Sequence, residues 1–365
     1  MLRAVELAKK GLGFTSPNPA VGAVVVQGHM ILGEGYHKKA GEAHAESIAI
    51  AQARKQGTLE DATLYVTLEP CCHSGKTPPC TSAVIDAGIS HVVYGMRDPF
   101  SKVNGKGERA LREAGVNVSS LSQKDPLYDE VRLLNQWFIK KEKTGLPFVT
   151  LKIGMSLDGK IATAKGDSKW ITGIAARKDA RLERSRHDAV LVGAGTVEVD
   201  NPELAAHGTY KKKKLLRVVI DPDLKSNPAS NIFRDEHVFV ATTERAPRQS
   251  RTAYEKKGIE YAVFGKQKVA ITKLLRHLSE RGIKSVFVEG GSRVHGSFCD
   301  AAREDKQVID QILFYIAPKI VGGNTAPSVV GGVGPESIKD ALKCKNTFVE
   351  KVGSDLKVRG VINWY

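Results

Sequence analysis

Two short stretches decide the fold of this chain: HAE at residues 44–46 and EPCCHSGKTPPC at residues 69–80. The second stretch holds three of the five cysteines. Zinc takes thiolate and imidazole ligands in a tetrahedron, and a catalytic zinc leaves one position open for water, so three protein ligands are needed. His44 supplies one ligand, and two of the three cysteines must supply the others.

The choice among the cysteines follows from backbone geometry. Cys71 and Cys72 are adjacent, so their side chains diverge by about 100° in a helix or about 180° in a strand, which keeps them from sharing one ion. Cys71 follows a predicted strand, and Cys80 opens a predicted helix, where free N–H groups and the helix dipole favour a thiolate. We therefore predict that His44, Cys71 and Cys80 hold zinc.

Glu46 is the predicted catalytic residue. Zinc lowers the pKa of its bound water to about 7, and a nearby carboxylate can take that proton and pass it to a leaving amine. Zinc deaminases carry H-x-E followed by P-C-x-x-C, whereas here the second cysteine lies farther along the chain. A closed structural zinc site with His73 as fourth ligand is the alternative, and it would make no use of Glu46.

Length, composition and charge narrow the class of protein. A chain of 365 residues is more than one ordinary core requires, so we expect two domains. An odd number of cysteines, three of them bunched, argues against a disulfide framework, and no apolar run approaches the roughly 20 residues that cross a bilayer. We expect a cytoplasmic protein with no membrane partner. The net charge of +15 suits phosphorylated small molecules as well as nucleic acid, so it does not choose between them.

The apolar pattern divides near residue 140 into two α/β series. A charged stretch at residues 140–147, ending in glycine, leucine and proline, is predicted to be the linker. Glycines after strands at residues 193–195 and 290–291 suit a cofactor phosphate, but neither stretch is a full G-x-G-x-x-G motif. The predicted strands are residues 20–26, 63–68, 91–96, 148–153, 189–192, 216–220, 237–241, 285–288 and 311–316, and the main predicted helices are residues 45–56, 81–87, 175–186 and 269–281.

Further motifs extend over nearly the whole chain. They are TSPNPAVGAVVV from Thr15, VTLEPC from Val66, GKTPPC from Gly75, SLDGKIA from Ser156, GDSKWITG from Gly166, DAVLVGAGTVEVDNPEL from Asp188 and VEGGSRVHGSF from Val288. With HAE, and in this order, they resemble the bifunctional riboflavin-biosynthesis deaminase–reductase family. The resemblance implies an α/β chain with a cytidine-deaminase-like three-layer domain at residues 1–143 and a dihydrofolate-reductase-like domain at residues 144–365.

The resemblance also implies two successive reactions. Zinc-dependent hydrolysis would remove the 2-amino group of a diaminopyrimidinone ribosylamino 5′-phosphate, and NADPH would then reduce the ribosyl group to a ribityl chain. The family usually forms homo-oligomers, so a dimer or tetramer is expected, with no nucleic-acid partner. The choice of NADPH over NADH rests on the resemblance alone.

Site residues follow from the same match. In the deaminase half, the resemblance implies that zinc is bound by His44, Cys71 and Cys80 and that Glu46 transfers protons. It also implies that substrate is contacted by Asn18, His37, Lys76, Thr77 and Asp98. In the reductase half, the resemblance implies that substrate is contacted by Lys152, Ser168, Arg184, Leu204 and Glu289. It implies that the cofactor is contacted by Gly154, Trp170, Thr196, Asp200, Gly291 and Ser292. Lys152 is the candidate for the substrate phosphate.

Three residues depart from the family pattern. Phe100 stands where the family usually has asparagine, His207 where it commonly has arginine, and Cys72 where it often has serine. Phe100 and His207 are therefore left out of the predicted sites. Two other functions remain open at this stage: a zinc nucleoside or tRNA deaminase with an accessory nucleotide-binding domain, and a zinc-stabilised binding protein without activity.

Overall fold

The computed structural model describes residues 1–74 and 78–363. Two compact units are present, one ending at Lys143 and the other beginning at Thr144. No helix in the described ranges is long and apolar enough to cross a bilayer. The first unit contains strands β1 (Gly22–Gln27), β2 (Met30–Tyr36), β3 (Thr63–Leu68), β4 (His91–Met96) and β5 (Asn117–Ser120), and helices α1 (Leu2–Lys9), α2 (Ala45–Ala53), α3 (Cys80–Asp86), α4 (Lys106–Glu113), α5 (Pro126–Leu134) and α6 (Gln136–Thr144).

The first unit is a sheet with helices on both faces. Its strand order is β2-β1-β3-β4-β5, antiparallel from β2 to β3 and parallel from β3 to β5. A Cβ at Gly33 or Gly35 would lie within 2.3 Å of a backbone oxygen of α2, and one at Gly22 would lie 2.0 Å from the Ala4 oxygen of α1. Gly35 is paired with Ala23, the neighbour of Gly22, so α1 and α2 lie on opposite faces. These glycines let α2, with His44 at its start, pack directly on the sheet.

The second unit is built on a larger, mostly parallel sheet with the strand order β10-β9-β8-β7-β11-β6-β12-β14-β13. The pairs β12–β14 and β13–β14 are antiparallel, and the other strand pairs in this order are parallel. Its elements are β6 (Phe148–Ser156), α7 (Ile174–Arg186), β7 (Ala189–Gly193), α8 (Ala194–Asp200), β8 (Leu216–Ile220), β9 (Val238–Thr242), α9 (Arg248–Lys256), β10 (Tyr261–Val263), α10 (Ile271–Glu280), β11 (Ser285–Val288), α11 (Ser292–Glu304), β12 (Gln311–Ala317), β13 (Asn346–Val352) and β14 (Asp355–Val361).

The linker predicted at residues 140–147 is wrong over its first five positions. Helix α6 continues to Thr144, and the side chains of Phe138, Ile139 and Lys140 on it are buried. Two apolar side chains next to the charged run hold the helix against the first unit, so the charges do not end it. Only residues 145–147 connect α6 to β6.

A buried lysine joins α7 to the antiparallel edge of the second sheet. The Lys357 ammonium on β14 lies 2.8 Å from Asp179 Oδ2, 3.2 Å from Glu183 Oε1 and 3.1 Å from Glu350 Oε1. The lysine is 5% exposed, so its charge is stabilised by these carboxylates and not by water. Without the ammonium, Glu183 would keep the Arg359 guanidinium and Asp179 the Tyr315 hydroxyl, but the three carboxylates would lose the cation that they share.

We expect Lys357→Met to lower the free energy of unfolding of the second unit by about 3 kcal/mol, because it breaks a buried ion-pair network from one side. Amide hydrogen exchange of β12 and β14 in the intact chain measures the change. Lys351→Met is the matched control, since Lys351 is exposed on the neighbouring strand. Equal exchange in the two variants would show that the network contributes nothing to stability.

Candidate functional site

Three potential metal ligands meet at the ends of three elements of the first unit. His44 is the residue before α2, in extended conformation with ψ 159°. Cys71 follows the end of β3, and Cys80 is the first residue of α3. Because the backbone turns at each of these positions, the side chains can face one point, as they could not from the middle of a helix.

The ligand atoms lie at distances that suit zinc. His44 Nδ1 is 3.1 Å from Cys80 Sγ and 3.6 Å from Cys71 Sγ, and all three atoms lie within 4.8 Å of one another. A tetrahedral zinc with Zn–S of about 2.3 Å and Zn–N of about 2.0 Å separates its ligand atoms by roughly 3.5–3.8 Å. The cluster therefore fits one zinc ion, with a fourth position left for water.

The electrostatics of the cluster favour an ionised Cys71 thiolate beside a Glu46 carboxyl group that can be protonated. Hydrogen bonds with the Cys80 thiol and with His44 hold the pKa of Cys71 well below its usual range. The hydrogen bond with Cys71, together with burial, raises the pKa of the Cys80 thiol. Glu46 is 4% exposed, and burial, followed by the charge of Cys71, raises its pKa to about 7. A carboxyl group with such a pKa can both accept and donate a proton near neutrality.

Asn18 and His37 form a hydrogen-bonded pair next to the cluster. His37 Nδ1 lies 3.1 Å from the Ala43 carbonyl oxygen, so this nitrogen carries the proton. His37 Nε2 then accepts from Asn18 Nδ2 at 3.0 Å, which leaves the Asn18 carbonyl oxygen as the acceptor of the pair. The imidazoles of His37 and His44 meet edge to face with centroids 5.4 Å apart. The pair is thus fixed in orientation within reach of the metal ligands.

Glu69 is a buried acid in the same region that the sequence analysis did not single out. Its side chain accepts from the backbone N–H groups of Asp98, Gly105 and Glu108. Asp98, which was predicted to meet substrate, is 6% exposed, and burial raises its pKa to about 7. In the sequence, Glu69 stands out as an acidic residue between a predicted strand and a Pro-Cys pair. Its role could not be predicted from that position, because its hydrogen-bond partners lie 29 to 39 residues away.

The second unit brings two predicted substrate residues, Lys152 and Arg184, to the largely buried carboxylate of a third, Glu289. Glu289 follows β11, and its Oε2 accepts from Arg184 Nη1 at 2.9 Å, while its Oε1 lies 3.6 Å from Lys152 Nζ. Burial opposes ionisation of Glu289, yet Arg184 and Lys152 keep its pKa below the usual range. Two cations and one carboxylate leave a net positive charge, which suits a phosphate group.

The predicted cofactor residues lie mainly where strands of the second sheet end. Gly291 precedes α11 and Ser292 begins it, while Thr196 and Asp200 lie on α8, which follows β7 directly. Such an edge, at the carboxyl ends of parallel strands, is where open α/β sheets bind ligands.

The remaining predicted residues of this half are Gly154, Trp170, Leu204 and Ser168. Gly154 lies on β6, two residues after Lys152. Trp170 is 59% exposed, and the Arg177 guanidinium lies 4.3 Å from its ring centroid. Leu204 is buried after α8. Within the described ranges, Ser168 makes no side-chain hydrogen bond to Lys152, Arg184 or Glu289, so the structure does not join it to that group.

Comparison with known proteins shows to which family the chain belongs. Residues 1–96 match the model of the cytidine and deoxycytidylate deaminase zinc-binding region, and residues 147–358 match that of the RibD C-terminal domain. The riboflavin biosynthesis protein RibD of Bacillus amyloliquefaciens is 43% identical, over 99% of this chain and 95% of its own. The chain belongs to the RibD family.

Solved structures agree with this assignment over the full length. RibD of Acinetobacter baumannii superposes with a TM-score of 0.85 at 34% identity, covering 100% of this chain and 98% of its own. A diaminohydroxyphosphoribosylaminopyrimidine deaminase/5-amino-6-(5-phosphoribosylamino)uracil reductase of Thermotoga maritima gives a TM-score of 0.82 at 39% identity, covering 100% and 97%. The predicted fold class is therefore confirmed.

Membership of the RibD family also confirms the predicted activity. The protein is a bifunctional enzyme of riboflavin biosynthesis, a deaminase and a reductase in one chain, and its cofactors are zinc and NADPH. A nucleoside or tRNA deaminase with an accessory domain is not favoured, because residues 147–358 match the RibD reductase domain.

Phe100 and His207, two residues that depart from the RibD family pattern, lie in defined surroundings. Phe100 lies edge to face with His73, with ring centroids 5.7 Å apart, and so forms an aromatic pair close to Cys71 and Cys72. His207 lies near Arg184, and burial together with that charge lowers its pKa. A neutral imidazole therefore stands where the family commonly has a cation. Lys76 and Thr77, predicted to meet substrate, lie outside the described residues.

Proposed function

We propose that residues 1–143 catalyse hydrolytic deamination of the diaminopyrimidinone ribosylamino 5′-phosphate and that residues 144–365 then reduce its ribosyl group with NADPH. The observation that carries the proposal is the cluster of His44, Cys71 and Cys80 beside the buried carboxylate of Glu46. The substrate is the one named for the relative from Thermotoga maritima. A structural zinc site would have no need for a buried, protonatable acid next to its ligands.

In the deamination half, Glu46 is the residue that moves protons. His44, Cys71 and Cys80 would hold a zinc ion, which would make a water molecule acidic enough to attack at neutral pH. Glu46 takes a proton from that water and delivers one to the exocyclic nitrogen, so that the C–N bond breaks and ammonia leaves. The Asn18 carbonyl oxygen, oriented by His37, accepts a hydrogen bond from the pyrimidine edge.

Three more residues are proposed to contact this substrate. Asp98, two residues after the end of β4, contacts the pyrimidine. Lys76 and Thr77 supply an ammonium and a hydroxyl for the 5′-phosphate, as their residue types suit. The phenyl ring of Phe100 replaces an amide here, so the hydrogen bond that this amide could give near the ribose is missing, and Phe100 is not among the proposed contacts.

In the reductase half, the protein orients two reactants. When bound, NADPH would supply the hydride, and the chemistry required of the side chains is alignment of the hydride donor with its acceptor. Lys152 and Arg184, fixed by Glu289, attract the substrate phosphate, with Ser168 and Leu204 completing the contacts. Gly154, Trp170, Thr196, Asp200, Gly291 and Ser292 contact the cofactor.

We further propose that the protein works in the cytoplasm as a homo-oligomer, a dimer or a tetramer, without a nucleic-acid partner. Five cysteines without a disulfide framework suit a reducing compartment. The positive charge would serve phosphorylated substrates and NADPH.

One assay on one sample tests the two activities and their order. The purified, zinc-loaded protein receives the diaminopyrimidinone phosphate, and ammonia is measured before and after NADPH is added, with NADPH absorbance followed in the second phase. Ammonia release followed by NADPH consumption is expected. Absence of ammonia would overturn the deaminase assignment, and consumption of NADH at the same rate would overturn the cofactor preference.

The choice of cysteine ligand gives a separate prediction. Cys71→Ser is expected to lose most of its zinc, whereas Cys72→Ser should retain one zinc ion per chain, because Cys72 Sγ is directed to the Lys102 carbonyl oxygen at 3.7 Å and not to His44. Metal analysis after dialysis against a weak chelator measures both. Loss of zinc from the Cys72 variant would show that the ligand was chosen wrongly.

A further inference from the structure

The Glu69 carboxylate bonds to the backbone of a neighbouring loop and helix. Glu69 lies directly after β3 and is 2% exposed. Its Oε2 accepts from the Asp98 amide at 3.2 Å and from the Gly105 amide at 2.9 Å, and its Oε1 accepts from the Glu108 amide at 3.1 Å. All three of these donors are backbone N–H groups, so the carboxylate orders main chain.

One of these bonds caps α4 from a distant part of the chain. Gly105 precedes α4 and offers no side chain to cap it, although the first N–H groups of any helix need acceptors. Glu69 supplies that acceptor to Glu108, at the third position of the helix, and its negative charge is favourable at a helix N-terminus. Glu69 therefore satisfies one N–H group in the first turn of α4.

The contact between α4 and the metal-ligand turn leaves no room for a side chain at Gly107. A Cβ at Gly107 would lie 2.0 Å from the Pro70 carbonyl oxygen and 3.2 Å from Glu69 Oε1. Cys72 Sγ also reaches the Lys102 carbonyl oxygen at 3.7 Å. The turn at residues 69–72 and the segment at residues 98–108 thus touch at several points, with Glu69 as the buried link.

We propose that Glu69 is a positioning residue for deamination, which holds the Asp98 loop (residues 98–105) at a fixed place relative to the metal ligand Cys71. Glu69 stands two residues before Cys71 and bonds to the amide of Asp98, whose own carboxylate is fixed by the Phe100 amide at 2.8 Å. One side chain therefore sets the distance between a metal ligand and a substrate contact. The inference rests on the proposed function in giving Asp98 its role.

Glu69→Gln is the variant that tests this role with little change in volume. An amide has one acceptor oxygen where the carboxylate has two, so at least one of the three N–H groups loses its acceptor. We expect the KM for the pyrimidine to rise about tenfold, a size typical of the coupling between residues in direct contact. The change in kcat should be smaller, and one zinc ion should be retained per chain. Reduction of the deaminated pyrimidine should be unchanged in the same sample.

Two further variants separate positioning from general stability. Glu108→Gln is the matched control on α4: it alters a side chain bonded to Tyr94 and Arg97 but keeps the N–H that Glu69 binds, so the KM should not change. In an Asp98→Ala background, Glu69→Gln should raise the KM much less than tenfold, because the group it positions is gone. Equal effects in both backgrounds would overturn the proposal, as would loss of zinc with an unchanged KM.

Hydrogen exchange provides a readout that does not depend on activity. In Glu69→Gln, the amides of residues 98–108 should exchange faster, while those of β1 and β2 should not change. If the wild-type protein released no ammonia, the proposed function would fail, and exchange alone would decide the positioning role. Unchanged exchange at residues 98–108 would overturn it.

Discussion

Glu46→Gln should reduce ammonia release by a factor of about 10² to 10⁴, the range that general acid–base groups contribute. Glutamine has the size of glutamate and fits the same buried position, but its amide cannot take a proton from water and pass it on. Glu46 is not among the three clustered ligand atoms, so zinc should remain bound. The comparison of kcat for ammonia release with zinc content, in the same preparation, measures the effect.

The control for this prediction is Glu42→Gln, which removes an exposed carboxylate two residues before His44. It should deaminate at the wild-type rate. Reduction of the deaminated pyrimidine should be normal in both variants, because the groups that serve it lie in the second unit. Near-normal deamination by Glu46→Gln would remove Glu46 from the mechanism, whereas loss of zinc would give it a structural role.

The second large effect is expected in the reductase half. Lys152→Ala should lower kcat/KM for reduction by about 10- to 100-fold, which corresponds to one hydrogen bond to a charged group. Without Lys152, the pair Arg184–Glu289 has no net charge and attracts a phosphate less. Glu289 keeps its 2.9 Å partner Arg184, so the fold should survive. The assay follows NADPH absorbance with the deaminated pyrimidine as substrate.

Deamination by Lys152→Ala should equal that of the wild type, which makes ammonia release the internal control. Lys273→Ala, on the exposed side of α10, removes one positive charge elsewhere and should affect neither activity. If Lys152→Ala reduced its substrate at the wild-type rate, Lys152 would not contact the phosphate. A parallel loss of both activities would mean that the two halves depend on each other.

Much of the fold was predictable because the apolar pattern follows the sheets. Strands β3, β4, β8 and β11 have the predicted bounds, since each is a short apolar run between turns. Strand β13 was not predicted: its first six residues are all exposed, so it shows no burial pattern that the sequence could reveal. Strand β10 has three residues, too few for any period.

The candidate metal site was predictable to a greater extent than the contacts around it. His44, Cys71 and Cys80 have residue types and spacing that allow few arrangements, and the structure brings all three together. The bonds of Glu69 were not predictable, because its partners are backbone amides, and every residue except proline carries one. The same holds for Arg184 and Glu289, which lie 105 positions apart.

The strand order has a consequence for the synthesis of the protein on the ribosome. The first sheet is complete once residue 120 has emerged, and its three candidate metal ligands all lie before residue 81. Strand β6, by contrast, lies between β11 and β12 and must wait for residues 285–317. At about 5–20 residues per second, that delay is on the order of ten seconds. The deaminase half can thus fold and take up zinc while the nascent reductase half still lacks the neighbours of its first strand.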